Sequence, residues 1–395
     1  MRRLGATLTA VALVALIGTA AAAWAAPRLA DVSREAHVFY PNVKTWSAEA
    51  GDVNRDGWDD LLVSNHFKPI NLYRNQRDGT FSRAVVGNRR DRHDCVFGDV
   101  NRDGREDFYC AIGGGKGRRL NSNELWIQRP DGGFENRADR YDVTDRRGRG
   151  RDVAFLDANG DGFLDLYVGN EPGRRDEFVS RNKLFLSVNG KRFKRAPASW
   201  HINRGIGAQI VQAIDYNGDR RPDLFVCGEH RAHLYRNVRG RRYRDVSRGA
   251  GVDMPCEGGV IAAMDGDRRP DVVIAARTRL KVKHQRGNGT FKLVENRRLH
   301  GGTEVVAGLV DSDARPDLYV VQRGRPDADE RDLMLLNRRG GRRFRSIRIP
   351  QTRKGKGDDA ISLDYDRNGR ADFLVMNGFH KQRGPVRLLA TRPQP

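Results

Sequence analysis

Cysteine is scarce in this sequence: four residues in 395, Cys95, Cys110, Cys227 and Cys256. None lies in a C-x-x-C pair, so zinc-ribbon and thioredoxin-like readings lack their spacing. No G-x-S-x-G elbow and no H-E-x-x-H helix is present, which removes the common hydrolase and zinc-protease signatures. "GGGKGRR" (113–119) lacks the G-K-[ST] ending of a phosphate loop and reads as a flexible connection. His230 and His233 in "HRAH" could coordinate a metal only if a turn brought them together. Amphipathic helical stretches are missing too, and past the N-terminus no apolar run is long enough to span a bilayer.

Negative charge is outnumbered. Lys and Arg total 72 against 51 Asp and Glu, a formal net charge of +21. The excess is mostly arginine, scattered in runs such as "RRGRGR" and "RGRRYR". No basic run is interleaved with aromatics as a base-stacking platform requires. The charge therefore reads as a solvated surface, with an affinity for acidic partners as the functional alternative, and nucleic acid is disfavoured.

The first residues stand apart. "MRRLGATLTAVALVALIGTAAAAWAA" has two arginines, an apolar stretch and a small-x-small site at Ala23–Trp24–Ala25. This predicts an export signal over 1–25 and a mature chain from about residue 26, with an uncleaved membrane anchor as the alternative. A secreted or cell-envelope location follows, and four cysteines suit it as two disulfides.

What the chain has in abundance is one phrase. "DVNRDGWDD" at 52 returns as "DVNRDGRED" at 99, "DANGDGFLD" at 157, "DYNGDRRPD" at 215 and "DYDRNGRAD" at 364. Shortened forms, "DGDRRPD" and "DSDARPD", begin at 265 and 311. The spacing of roughly 50 residues is that of propeller blades. Around each phrase stand four short strand-like segments joined by Gly-containing turns, as in "DLYVGN", "NKLFLS" and "GKRFKRAP". The expectation is an all-β, seven-bladed propeller of four-stranded blades over 26–395, with an open β-solenoid as the rival. The seventh unit stops at "VRLLATRP", while "RLADVSREAHV" (28–38) reads like the outer segment "YRDVSRGAGV" (243–252). The N-terminal segment is thus expected to close the last blade and remove a sheet edge.

Inside each phrase, oxygen side chains stand at positions 1, 3, 5 and 9, with Gly at position 6 for the sharp turn. That is the opening of an EF-hand-like loop, a cage for a hard cation. Calcium is favoured over magnesium, which needs a stricter octahedron, and the lack of His and Cys in the loops disfavours zinc and copper. The expected ligands are Asp52, Asn54, Asp56 and Asp60, then Asp99, Asn101, Asp103 and Asp107, then Asp157, Asn159, Asp161 and Asp165. Asp215, Asn217, Asp219 and Asp223 form a fourth set, weakened by Arg220 where Gly is expected, and Asp364, Asp366, Asn368 and Asp372 the last. Four to five sites result. The short loops at Asp265 and Asp311 are expected to bind weakly or not at all.

The units resemble the FG-GAP/VCBS repeats of integrin α-subunit propellers. Their arrangement most resembles the propeller of the cartilage acidic protein family and its bacterial relatives, in which an "FxDVSxxAGV" phrase ends a blade. The resemblance covers about residues 28–390 and implies fold more than function, because such propellers serve adhesins, lectins and lyase accessory domains alike.

One further constellation stands at the start of the innermost strands: Asp94, Asp152, Asp358 and Asp359, with Glu257 and Glu304 at similar places. Carboxylates and arginines at a channel mouth suit a polar ligand, an extracellular protein or an anionic or polyhydroxylated glycan. Paired acids also suit a lyase-like carbohydrate enzyme. The reading favoured is a non-catalytic, calcium-binding recognition or adhesion module. Placing Gly98 opposite Asp107 puts Cys95 across from Cys110, and Cys227 and Cys256 fall on facing strands of successive units, so bridges Cys95–Cys110 and Cys227–Cys256 are expected.

Overall fold

The computed structural model describes residues 27–113, 122–171, 180–202, 206–228, 230–311, 313–323, 331–347, 349, 357–377 and 384–393. The export-signal segment lies outside the described residues. Within them the chain is almost wholly antiparallel strand, and no helix is long and apolar enough to cross a membrane.

The second strand of each repeat explains the architecture. Asp107–Ile112, Asp165–Asn170, Asp223–Gly228, Asp317–Gln322 and Asp372–Asn377 are buried at every residue. A strand covered on both faces reads as an unbroken apolar run, because sheets pack against each side of it. Outer strands such as Arg192–Arg195 and Arg242–Asp245 bury only their aromatic residue, Phe193 or Tyr243. Sheets stacked face to face about an axis, with exposed outer edges, make a propeller.

Six hydrogen-bonded sheets are present. Four contain four strands each, one five and one six. The expectation of seven separate blades is therefore corrected. The first two repeats share the six-stranded sheet, because Asp60–Asn75 and Phe81–Gly98 run on as long strands where separate blades would break. Their ladder slips at His66, Lys68 and Ile70, and Phe67 takes a positive φ of 55°. The two long strands thus bend rather than end.

Successive inner strands pack side by side, from Thr45–Gly51 to Gly357–Leu363, and the last lies against the first. The ring is closed, so the open solenoid is excluded. Pro27–Asp31 runs antiparallel to Gly384–Pro393, pairing Leu29 with Thr391, and is the outer strand of the last sheet. Apolar clusters fill the spaces between repeats. Leu61, Val63 and Tyr73 pack on Leu374, Met376 and Leu388 across the closure. Leu62, Ile70 and Leu72 pack on Phe108 and the Cys95–Cys110 pair. A Cβ on Gly98 would stand 2.8 Å from Phe155 and Leu164, so only glycine admits the next repeat there.

Both disulfides join the expected partners. Cys95 and Cys110 are directly opposed in the ladder, with Cα atoms 4.1 Å apart. Cys227–Cys256 ties the fourth repeat to the fifth over 5.6 Å between Cα atoms.

Candidate functional site

Each complete loop is wound around its first aspartate. Asp52 accepts the backbone N–H of Asp56 at 2.9 Å on Oδ1 and of Gly57 at 2.8 Å on Oδ2. Asn54 Oδ1 also accepts from Asp56, and Asp56 Oδ1 accepts from Trp58. The loops at Asp99 and Asp157 repeat this pattern bond for bond. In the loop at Asp364, the N–H groups of Asn368 and Gly369 bond the two oxygens of Asp364. Gly57, Gly104, Gly162 and Gly369 all have φ between 76° and 85°, the left-handed turn that position 6 requires. In the fourth loop Arg220 takes φ 62°, the conformation that costs a side chain most. That loop still closes, through Arg220 N–H on Asp215 at 2.7 Å.

The ninth-position aspartate does something else. Asp165 is fully buried, and its oxygens accept the N–H of Ala158 and of Ser187. Asp60, Asp107, Asp223 and Asp372 make the same pair of bonds, and so do Asp271 and Asp317 in the short loops. All seven tie the loop to the end of the third strand. Burial pushes Asp60 up to about 6 and Asp223 to about 8, against the pull of their N–H donors. Most of these oxygens accept one N–H and keep a lone pair for a second partner, which Asn217 Nδ2 supplies to Asp223 and the Asp311 N–H to Asp317.

The structure brings the complete loops into one arc. Counting around the ring, the repeats at 364, 52, 99 and 157 are consecutive, and arginines at loop position 4 link them. Arg367 stands over the Trp58 ring at 5.0 Å, and Arg55 donates to the Asp103 carbonyl at 3.4 Å. Arg102 bonds the Gly162 carbonyl and lies 4.2 Å over Phe163. Within their own repeats Arg77 pairs with Asp56 at 2.9 Å, Arg105 with Asp103 and Arg392 with Asp366 at 2.6 Å, and basic side chains meet the other three loops as well. Arg236 stands 3.7 Å from Asp219, His284 3.3 Å from Asp265, and Arg338 2.7 Å from Asp311. No such pair meets Asp157 or Asp161 among the described residues.

Of the channel residues, Asp94, Asp152, Asp359 and Glu304 gather where inner strands face one another, joined by Glu49, which sequence reading missed. Burial, then the neighbouring Asp94 and Asp359, hold Glu49 well above the usual carboxylate range. Asp152 is raised by burial and by Asp94, Asp359 and Glu304. Asp94 is pushed up to about 6, although Val153 N–H donates to it at 3.1 Å. Glu257 stands apart, beside His230 at 3.2 Å and Arg277 at 3.9 Å. The Asp358 side chain lies outside the described residues. His233 turns towards Asp245 at 3.9 Å, so the "HRAH" histidines hold no common ligand among them. A second cluster was not expected: His66, Asp91 and His93 converge at the junction of the first two repeats, with Arg151 against His93. Its members are far apart in the phrase pattern, so only the fold reveals it.

The family of FG-GAP-like repeats matches residues 52–110, 99–168 and 264–320, so these stretches are FG-GAP-like repeats in a β-propeller. No protein of curated function matches the sequence. Among solved structures, the BBS1N domain in complex with ARL6DN, in crystals soaked with lead, is 12% identical with a TM-score of 0.55. That alignment covers 88% of this chain and 93% of the other. The mercury-soaked form gives 10% identity over the same shares at TM-score 0.55. An Agrocybe aegerita lectin, solved for its recognition of non-reducing terminal N-acetylglucosamine, is 18% identical over 78% of this chain and 81% of its own, at TM-score 0.49. These likenesses concern the fold.

Proposed function

We propose that this chain is an exported, calcium-binding, non-catalytic propeller that presents a ligand-recognition or adhesion surface. The observation that carries the reading is the arc of four complete, all-oxygen loops at one end of the ring. The residues fit the ion: Asp364, Asp366 and Asp372 each offer an oxygen, all within 4.8 Å of one another. Asp52, Asn54 and Asp56, with their equivalents at 99 and 157, supply the same hard donors. Calcium bound there would neutralise carboxylates that otherwise repel within one turn. We also read the six-stranded sheet as two blades' worth of repeat, since a separate apolar cluster lies between its halves. Counted this way, the six sheets hold seven repeat units around the axis.

The ligand falls to the opposite face, where loops of a rigid scaffold surround the channel carboxylates and nearby arginines such as Arg149 and Arg151. An extracellular protein or a polyhydroxylated or anionic glycan suits such polar, two-signed chemistry. Thermal-shift screening of glycans and envelope extracts at fixed calcium tests this; a ligand whose effect is lost in Arg151→Ala supports it, and silence across both panels removes it. The raised carboxylates favour a second reading, a lyase-like carbohydrate enzyme, because a protonated acid near neutral pH can act as general acid. Unsaturated products from an acidic-polysaccharide panel would establish that reading instead.

A further inference from the structure

The fifth loop is two residues too short for a calcium cage, yet it is not merely degenerate. Asp265, Asp271 and His284 each offer one ligand atom, and the three atoms lie within 4.8 Å of one another. His284 occupies the third-strand position filled by Leu336 in the sixth repeat and Leu186 in the third, so an imidazole replaces an apolar side chain. Its Nδ1 faces Asp265 Oδ2 at 3.3 Å. Its Nε2 is buried without a hydrogen-bond partner among the described residues.

The neutral ring carries one proton. With that proton on Nδ1 the ring donates to Asp265; with it on Nε2, the Nδ1 lone pair is free to bind a cation lying between the ring and the carboxylates. Charge agrees. Asp267 is paired with Arg269, and no Arg or Lys pairs with Asp265 or Asp271 among the described residues, so beside a neutral His284 their two charges are the complement of one dication. Asp271 is fully buried and oriented by the N–H groups of Met264 and Gln285, both at 2.9 Å. Such outer hydrogen bonds hold a ligand in place for a metal. The cluster at His66, Asp91 and His93 has two imidazoles but sets the Arg151 guanidinium against one of them, which opposes a dication.

From this geometry we propose that the fifth loop is a mixed nitrogen–oxygen site for a borderline transition dication of the zinc type, held by Asp265, Asp271 and His284. Two carboxylates and one imidazole are a zinc-type donor set, and the fourth position stays open to water or a ligand group. The site is distinct from the calcium loops and does not depend on their occupancy.

The test uses the full chain in excess calcium. Calorimetry with zinc alone should show one equivalent bound, and cobalt substituted for it should develop visible d–d absorption. His284→Leu, which copies the sixth repeat, should weaken zinc at least tenfold while leaving calcium uptake unchanged, and Asp265→Asn should act likewise. If the leucine variant does not fold, zinc-dependent shifts of the His284 ring resonances in the wild-type chain supply the same reading. No zinc uptake above buffer, or uptake equal in His284→Leu, overturns the assignment and leaves His284 as a hydrogen-bonding neighbour of Asp265. Loss of calcium binding with zinc uptake intact would instead count against the calcium loops alone.

Discussion

Asp165 and its six equivalents separate two roles that one repeated phrase encodes. The first, third and fifth positions face the loop interior, while the ninth holds two backbone N–H groups under the sheet. Removing that carboxylate leaves two buried donors unpaired, at about 1–3 kcal/mol each. Asp165→Ala should therefore cost roughly 2–6 kcal/mol in urea unfolding with chelator present. Asp317→Ala, in a short loop, should cost as much; a negligible loss there would refute the structural role. The channel carboxylates make an opposite prediction. Asp94 is raised from 3.8 to about 6 in the folded chain, and burial with the neighbouring Asp94 and Asp359 raises Asp152 too. The folded state thus retains protons that the unfolded chain releases, so this stabilisation is full below pH about 4 and is lost as pH rises through the folded value. Asp94→Asn should gain on the wild type as pH rises from about 4 to about 6, by roughly 1–3 kcal/mol, and Asp152→Asn should change in the same direction. A difference independent of pH would show that the cluster is hydrated and uncoupled.

At the scale of elements, the ends and the loop arc can be tested apart. The N-terminal strand covers the edge of the last sheet, and Ser33 Oγ accepts the Leu388 N–H at 2.9 Å. Deleting residues 26–38 should cost several kcal/mol and lower the melting temperature. An unchanged melt would show that the ring holds without it. Arg102 joins the second loop to the third, so Arg102→Ala should weaken calcium at both while leaving the loop at Asp364 unaffected; equal loss everywhere would mean global destabilisation. Sequence spacing made much of this legible. The turn geometry of the loops, the disulfide register and the closing strand all follow from local phrases whose strands pair by sequence order. The arginine links and the Glu49–Asp152 grouping were not legible, because they join residues of different repeats across the ring. The fusion of the first two repeats was hidden too. "SNHFKPIN" carries a proline between two strand-like segments, and the chain runs on as strand through it with the ladder slipping around Phe67.

For the whole molecule, the central claim is that bound calcium is part of what keeps the ring folded. Oxygen cages in exported modules bind calcium at roughly 10⁻⁴ to 10⁻³ M. At tenfold excess over that constant, each site adds about 1.4 kcal/mol by mass action, and four sites roughly 5–6 kcal/mol. That is comparable to the net stability of an ordinary domain. The loop at Asp157, whose Asp157 and Asp161 carboxylates meet no Lys or Arg among the described residues, should bind most tightly, and Asp157→Ala should cost more affinity than Asp265→Ala. The most direct measurement is calcium calorimetry on the mature chain, paired with thermal melts in chelator, calcium and magnesium. Four to five calcium equivalents are predicted, with a melt lowered markedly by chelator and restored by calcium better than by magnesium. No calcium heat and an identical melt in chelator would contradict the account, and the loops would then be acidic turns held by their own hydrogen bonds.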